Sequence, residues 1–160
     1  RTAAIAAVRT PGRVVKCGKV QWCCFDGFLH CKLPSGRLLG YCDPRIVDKP
    51  TPWGEKKPAL TYMGVDPYTK KWRRQDTYGG MLVENITQAT ARDLMADAML
   101  RCHKEGLYDV ILSVHDELIA ECDMDKGDVK DFEATMAYTP EWAEGCPVKA
   151  EGWTGLRYRK

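Results

Sequence analysis

At Leu82 the apolar residues of this chain stop alternating and begin to recur every three or four positions. Leu82, Val83, Ile86, Ala89, Thr90, Leu94, Ala98 and Cys102 trace one broad face. That spacing predicts a helix from Met81 to Glu105, closed by Gly106 as the residue past its end. Soon after it come Val110-Ile111-Leu112-Ser113-Val114, then His115-Asp116-Glu117, then Leu118-Ile119-Ala120. Two strand-like runs flank an imidazole and two carboxylates, which places these groups at the tip or in the middle of a β-hairpin. The ordered pair of a long helix and an acidic hairpin is far more specific than either piece alone.

Upstream, Thr2 to Val8 reads as the end of a helix that Pro11-Gly12 terminates, so residues 1–9 look like an element entered midway. From Val14 to Tyr41 short apolar segments are separated by Gly18, Asp26-Gly27 and Pro34-Ser35-Gly36, the pattern of antiparallel hairpins, giving a β-meander over residues 10–42. Residues 43–59 carry Pro44, Pro50, Pro52 and Pro58, which lack backbone donors, and read as an irregular surface connection. Leu60 to Tyr78 alternates around Val65-Asp66-Pro67, an exposed hairpin with a basic far strand that completes the 43–80 region. Beyond the acidic hairpin, Asp125 to Ala137 reads as a second amphipathic helix and Pro147-Val148-Lys149-Ala150-Glu151 as a closing strand. The sum is an α+β fold, an antiparallel sheet with helices packed on one face plus the N-terminal meander, in one domain of 160 residues.

Bulk charge does not announce a nucleic-acid binder, because 24 Lys+Arg against 22 Asp+Glu leave only +2. Any such contact must come from local clusters, Lys70-Lys71-Trp72-Arg73-Arg74 or Arg157-Tyr158-Arg159-Lys160, each of which reads equally as a solvated charge run. Eight cysteines raise disulfides and zinc, yet no Cys-x-x-Cys occurs, and neighbouring Cys23 and Cys24 would point to opposite faces of a strand. The start Arg1-Thr2-Ala3-Ala4-Ile5 shows no secretory signal, so an oxidising compartment is not supported and reduced thiols are expected. No run of 18 apolar residues is present, which excludes a membrane-spanning helix.

Regular strand geometry would send Asp116 and Glu117 to opposite faces and His115 and Glu117 to the same one. Only a turn or bulge could bring both carboxylates to one ion. Mg²⁺ favours one or two carboxylates together with water and substrate phosphates, so Asp116 can serve as one ligand but the hairpin alone cannot build a two-metal site.

The segment from Tyr78 to Glu121 resembles the C-terminal palm of family A DNA polymerases, the group that includes bacterial DNA polymerase I and many phage replicative enzymes. In that family a helix bearing a Gln, small residues and an Asp precedes a hairpin with Val-His-Asp-Glu. The matches are Gln88, Thr90, Ala91, Asp93 and Val114 to Glu117. Leu33-Pro34-Ser35-Gly36-Arg37-Leu38 is similar to the family's Gly-Arg segment in a phage-like form, and Pro147 to Trp153 to the strand that ends its palm. The resemblance implies a DNA-directed DNA polymerase using Mg²⁺, with residues 81–160 as the palm core. Asp116 would bind the metal and Glu117 would support the site. His115 would lie near the primer terminus, Gln88 in the minor groove of the primer-template end, and Arg37 on backbone phosphate.

Departures accompany the matches. Glu84 stands where many members have Asn, with Asn85 shifted by one, and Ser113 stands where many have Gln. The family's first catalytic carboxylate motif and its fingers helix are absent. The resemblance therefore implies a C-terminal part that needs an N-terminal polymerase polypeptide, primer-template DNA and deoxynucleoside triphosphates, and is inactive alone. Three other readings stay open: a non-catalytic primer-template binding or assembly module with a palm fold, a cysteine-rich zinc protein, and a relative of single-subunit RNA polymerases.

Overall fold

The computed structural model describes residues 1–50 and 54–158. The chain divides into two compact units where composition suggested one domain, the first spanning Arg1–Gln88 and the second starting at Ala89. Class and meander agree with the sequence: the fold is mixed α+β, and its larger sheet has six antiparallel strands in simple sequential order.

The first unit opens with α1 (Thr2–Arg9), which packs on the strands that follow and buries Ala4, Ile5 and Ala7 against them. The meander runs through β1 (Val15–Cys17), β2 (Val20–Phe25), β3 (Phe28–Lys32), β4 (Leu38–Pro50), β5 (Lys56–Val65) and β6 (Trp72–Thr77). The β2–β3 turn shows why the sequence was readable: Asp26 and Gly27 take φ of +50° and +76°, the doubly left-handed pair that an Asp-Gly turn of type I′ supplies. Trp22, Leu29, Cys31, Leu33, Tyr41 and Leu60 form the core of this unit, together with Leu82.

The irregular connection expected over 43–59 is instead the longest pairing of the sheet, Cys42↔Met63 through Pro50↔Lys56. Three prolines are accommodated by position. Pro44 falls in the register shift between Cys42 and Arg45, beside Asp43 with φ +43°, and bulges tolerate a missing donor. Pro50 ends β4. Pro58 pairs with Asp48 where β6 has not yet joined β5, since that pairing begins only at Leu60↔Thr77, so the far edge of β5 needs no donor there. Pro52 lies outside the described residues.

Helix α2 (Gly79–Glu105) matches the expected span, and Gly106 caps it with φ +69° and an N–H donated to the Cys102 carbonyl at 3.0 Å. The unit boundary falls within it. Of the predicted face, Leu82, Ala98 and Cys102 are buried, Met95 joins them, and Val83 is exposed.

The second unit continues with β7 (Asp109–Val114), β8 (Glu117–Glu121), α3 (Val129–Ala137) and one 3-10 turn, Glu141–Ala143. Asp128 caps α3 by accepting the Lys130 N–H at 2.8 Å, so the helix starts later than Asp125. The closing strand expected at 147–151 does not form. That stretch has no ladder partner, and the chain after it is tied to α3 by the Gly152 N–H, which donates to Glu133 Oε1 at 2.7 Å. β7 and β8 thus form a two-stranded ribbon apart from the six-stranded sheet. No helix among the described residues is long and apolar enough to cross a membrane.

Candidate active site

The ladder of β7 and β8 closes at Val114↔Glu117, which leaves His115 and Asp116 as the two central residues of a tight turn. Asp116 is therefore at the tip of the ribbon, outside the strand alternation that would have opposed it to Glu117. It is exposed. Glu117 is the first residue of β8, and its Oε2 accepts the Tyr158 hydroxyl at 3.0 Å. The tyrosine's pKa is raised, first by that bond to a carboxylate and then by burial.

His115 takes φ of +52°, whereas Asp116 stays on the negative side. A two-residue hairpin with a left-handed first position ordinarily carries glycine there, and a side chain in that region costs about 1 to 2 kcal/mol. Histidine is among the residues that tolerate this conformation best. The β2–β3 turn likewise holds a non-glycine residue at its first central position, Asp26 with φ +50°, and adds Gly27 after it. Strain of this kind concentrates at functional positions, and an observed outlier motivates a functional reading.

Behind the tip the ribbon is irregular. Its register shifts between Val110 and Leu112, and Ile111 and Leu112 are exposed. Tyr108, just before β7, anchors the ribbon's base to α3: its hydroxyl lies 2.9 Å from both the Asp128 carbonyl and Asp131 Oδ2, and accepts the Asp128 N–H at 3.1 Å. Its ring packs on Phe132 at 4.8 Å. On the inner side, Arg101 of α2 pairs with Asp97, donates to the Thr135 and Tyr138 carbonyls at 2.9 and 3.3 Å, and lies over the Tyr138 ring. The hairpin is thus held at its root by Tyr108 and beside its tip by the Glu117–Tyr158 bond, with His115 and Asp116 exposed between.

Asp116 and Glu117 are not drawn into one metal-binding cluster. Among the described residues no group of three or more His, Cys, Asp or Glu could hold an ion. One exposed carboxylate at a turn suits a single Mg²⁺ ligand whose remaining sites go to water and phosphate oxygens, so the donor set fits part of such a site and no more. The eight cysteines are free thiols, and burial pushes the Cys31 thiol up to about 11, away from the thiolate form that zinc binds.

The remaining predicted residues belong to the first unit. Gln88 is exposed on α2, and its Nε2 donates to Glu84 Oε1 at 3.3 Å, an i,i+4 pair. Asn85 is engaged, donating to the Tyr41 hydroxyl at 3.3 Å. Arg37 is exposed at the β3–β4 turn, where its carbonyl accepts the Leu33 N–H at 2.8 Å. His115, Asp116 and Glu117 come together, then, while Gln88 and Arg37 are carried by other elements. Tyr158 is the residue that sequence reasoning missed. It lies 41 positions from Glu117, and its only signal was membership of a terminal basic run.

No protein-family model and no solved structure matches the chain. It is similar to the DNA polymerase of Bacillus phage SP02, 41% identical over 135 residues that make up 84% of this chain and 20% of that polymerase. The chain spans about a fifth of the length of the relative it matches. A continuous span of 135 in 160 takes in residues 26–135 wherever it begins, and so includes α2 and the acidic ribbon. The chain is related to a phage DNA polymerase.

Proposed function

We propose that this relative of a phage polymerase is the C-terminal palm part of a family A, DNA-directed DNA polymerase. The observation that carries the reading is the 41% identity extending across the acidic ribbon, whose tip exposes Asp116. The reaction is in-line attack of a primer 3′-hydroxyl on the α-phosphate of a deoxynucleoside triphosphate, with pyrophosphate leaving. Mg²⁺, when bound, would supply charge stabilisation at the attacking and leaving oxygens, with a second carboxylate from outside this chain.

Within this chain Asp116 offers its carboxylate at the reacting centre, and the tight turn keeps it clear of the strand pairs behind. Glu117 is a positioning residue. Its bond to the Tyr158 hydroxyl ties the first residue of β8 to the chain's last described segment and limits how the tip can tilt. His115 lies beside Asp116, where the primer terminus would approach. The Gln88 amide carries a second N–H beyond the one that faces Glu84, and that N–H would meet the universal acceptors of the minor groove, which report base-pair shape without sequence. Arg37 would take a backbone phosphate.

The 160-residue chain should not extend a primer alone. Mixed with a polypeptide bearing the missing carboxylate motif and fingers, it should give Mg²⁺-dependent extension in a gel assay. Asp116→Ala should abolish that extension while primer-template binding persists. Extension that survives the substitution would falsify the assignment, and indifference of all measured properties to Asp116 would instead favour a binding module without catalysis.

A further inference from the structure

The loop joining β5 to β6, residues Asp66–Lys71, is built around a carboxylate that is almost fully covered. The Asp66 side chain, 3% exposed, accepts the Tyr68 and Thr69 N–H groups at 3.1 and 2.7 Å and the Thr69 hydroxyl at 2.9 Å, and it pairs with Arg73. Two backbone bonds close the same loop, from the Asp66 N–H to the Lys71 carbonyl and from the Lys70 N–H to the Asp66 carbonyl, each 2.9 Å. Lys70 takes φ of +56°. So many fixed bonds define one conformation.

That conformation displays apolar rings. Tyr68 is 91% exposed and Trp72, at the start of β6, is 59% exposed. The structure also sorts the basic run Lys70-Lys71-Trp72-Arg73-Arg74. Arg73 is bound to Asp66, and Arg74 is bound to the carboxylate and carbonyl of Asp43. Lys70 and Lys71 are exposed and form no ion pair among the described residues. What remains for a partner is two rings and two ammonium groups on one short, braced loop. Single strands of nucleic acid match this chemistry, because every base has a face that stacks on an aromatic ring and every linkage carries a phosphate charge. A duplex hides its base faces, and a lipid surface offers no ring to stack.

We propose that the Asp66–Lys71 loop, with Trp72, is a binding surface for a single strand of nucleic acid, its bases stacking on Tyr68 and Trp72 and its phosphates meeting Lys70 and Lys71. The surface belongs to the first unit, which does not contain Asp116, and it goes beyond nucleotidyl transfer. The braced backbone lowers the ordering cost of binding, since the loop that carries the rings need not be fixed on contact.

The test is fluorescence anisotropy of a labelled oligodeoxythymidylate with the 160-residue chain, in EDTA and without nucleotide or second polypeptide, so that it is independent of primer extension. Tyr68→Ala and Trp72→Ala should each weaken binding roughly ten-fold or more, whereas Trp72→Phe, which keeps a ring, should retain most of it. Lys70→Gln with Lys71→Gln should flatten the slope of log affinity against log salt by about 1.4, two phosphates at the single-strand value. Circular dichroism confirms that the variants fold. The proposal is overturned if the parent chain does not bind, if folded ring variants bind as tightly as the parent, or if a duplex of equal length binds as well as the single strand.

Discussion

Residues Arg1–Gln88 wrap a six-stranded sheet around large, fully covered side chains, whereas the unit from Ala89 onward sets a two-stranded ribbon beside helices and buries little more than Met95, Ala98, Cys102, Tyr108 and Ala143. In the second unit Leu100, Ile111, Leu112, Met124 and Leu156 remain exposed, and no residue of α3 is buried. Charge divides along the same line. The first unit carries 15 Lys+Arg against 7 Asp+Glu, a balance of +8, and the second 9 against 15, a balance of −6. The near-neutral total hid two opposed halves. A basic, well-packed unit suits a polyanion, while an acidic unit with a protruding carboxylate suits a cation. A two-stranded ribbon is marginal without support, so the second unit depends on point anchors, Tyr108 and Arg101, where the first depends on buried area.

The largest effect that tests this contrast is in the cores. Leu29→Ala, at a fully covered position, should cost about 3 kcal/mol in denaturant unfolding, while Leu112→Ala, at 48% exposure, should cost about 0.5 kcal/mol or less. Equal losses would break the comparison. Acid should act next, and on the first unit. The Thr69 N–H foremost, then the Thr69 hydroxyl, the Tyr68 N–H and Arg73, hold the Asp66 carboxyl down to about 2 against the burial that opposes them. A depressed carboxyl contributes stability above its unfolded value near 4 and loses it as pH falls towards 2. Thermal melts of the parent should therefore drop through that window, and Asp66→Asn should remove part of the drop; an unchanged pH profile would place the acid-sensitive group elsewhere.

Anchoring comes third. Tyr108→Phe deletes a hydroxyl that meets the Asp128 carbonyl, the Asp128 N–H and Asp131, and should cost about 1 kcal/mol. Amide exchange should rise in β7, β8 and α3 and stay unchanged in β2 and β3. Smallest is the pair of turns. Gly27→Ala puts a side chain at φ +76° and should cost about 1 kcal/mol, whereas His115→Gly relieves a similar strain, less the entropy of glycine, for a net gain of about 0.5 kcal/mol. Opposite signs in urea titrations would show that a side chain at positive φ is what costs stability in both turns. Two losses would show that His115 is not strained.

Much of this was legible because local rules carried it. The apolar period from Leu82 fixed the extent of α2 to within two residues, Gly106 marked its end, and Asp26-Gly27 marked a turn. The stretch with Pro44, Pro50 and Pro58 misled because proline forbids a ladder bond only where a neighbour demands one, and which edge of a strand is covered is decided by partners far along the chain. The strand expected at Pro147–Glu151 failed for the converse reason: a strand-like run needs an edge to join, and β7–β8 does not extend to it. At the site, the sequence delivered Asp116 as a turn residue, but that Glu117 is held by Tyr158 and that Gln88 is paired with Glu84 are consequences of packing.

By itself the sequence determined the elements whose causes lie within a few residues: the long helix, its cap, the tight turns and the carboxylate between two apolar runs. Tertiary structure decided which of five consecutive basic and aromatic residues are used up and which are offered, because Arg73 and Arg74 find carboxylates only after the sheet has formed. It also decided that a chain of near-zero net charge is two oppositely charged units. The physical reason is common to both: periodicity and capping act over one turn of chain, whereas ion pairing and strand edges depend on partners that only the completed fold brings within reach.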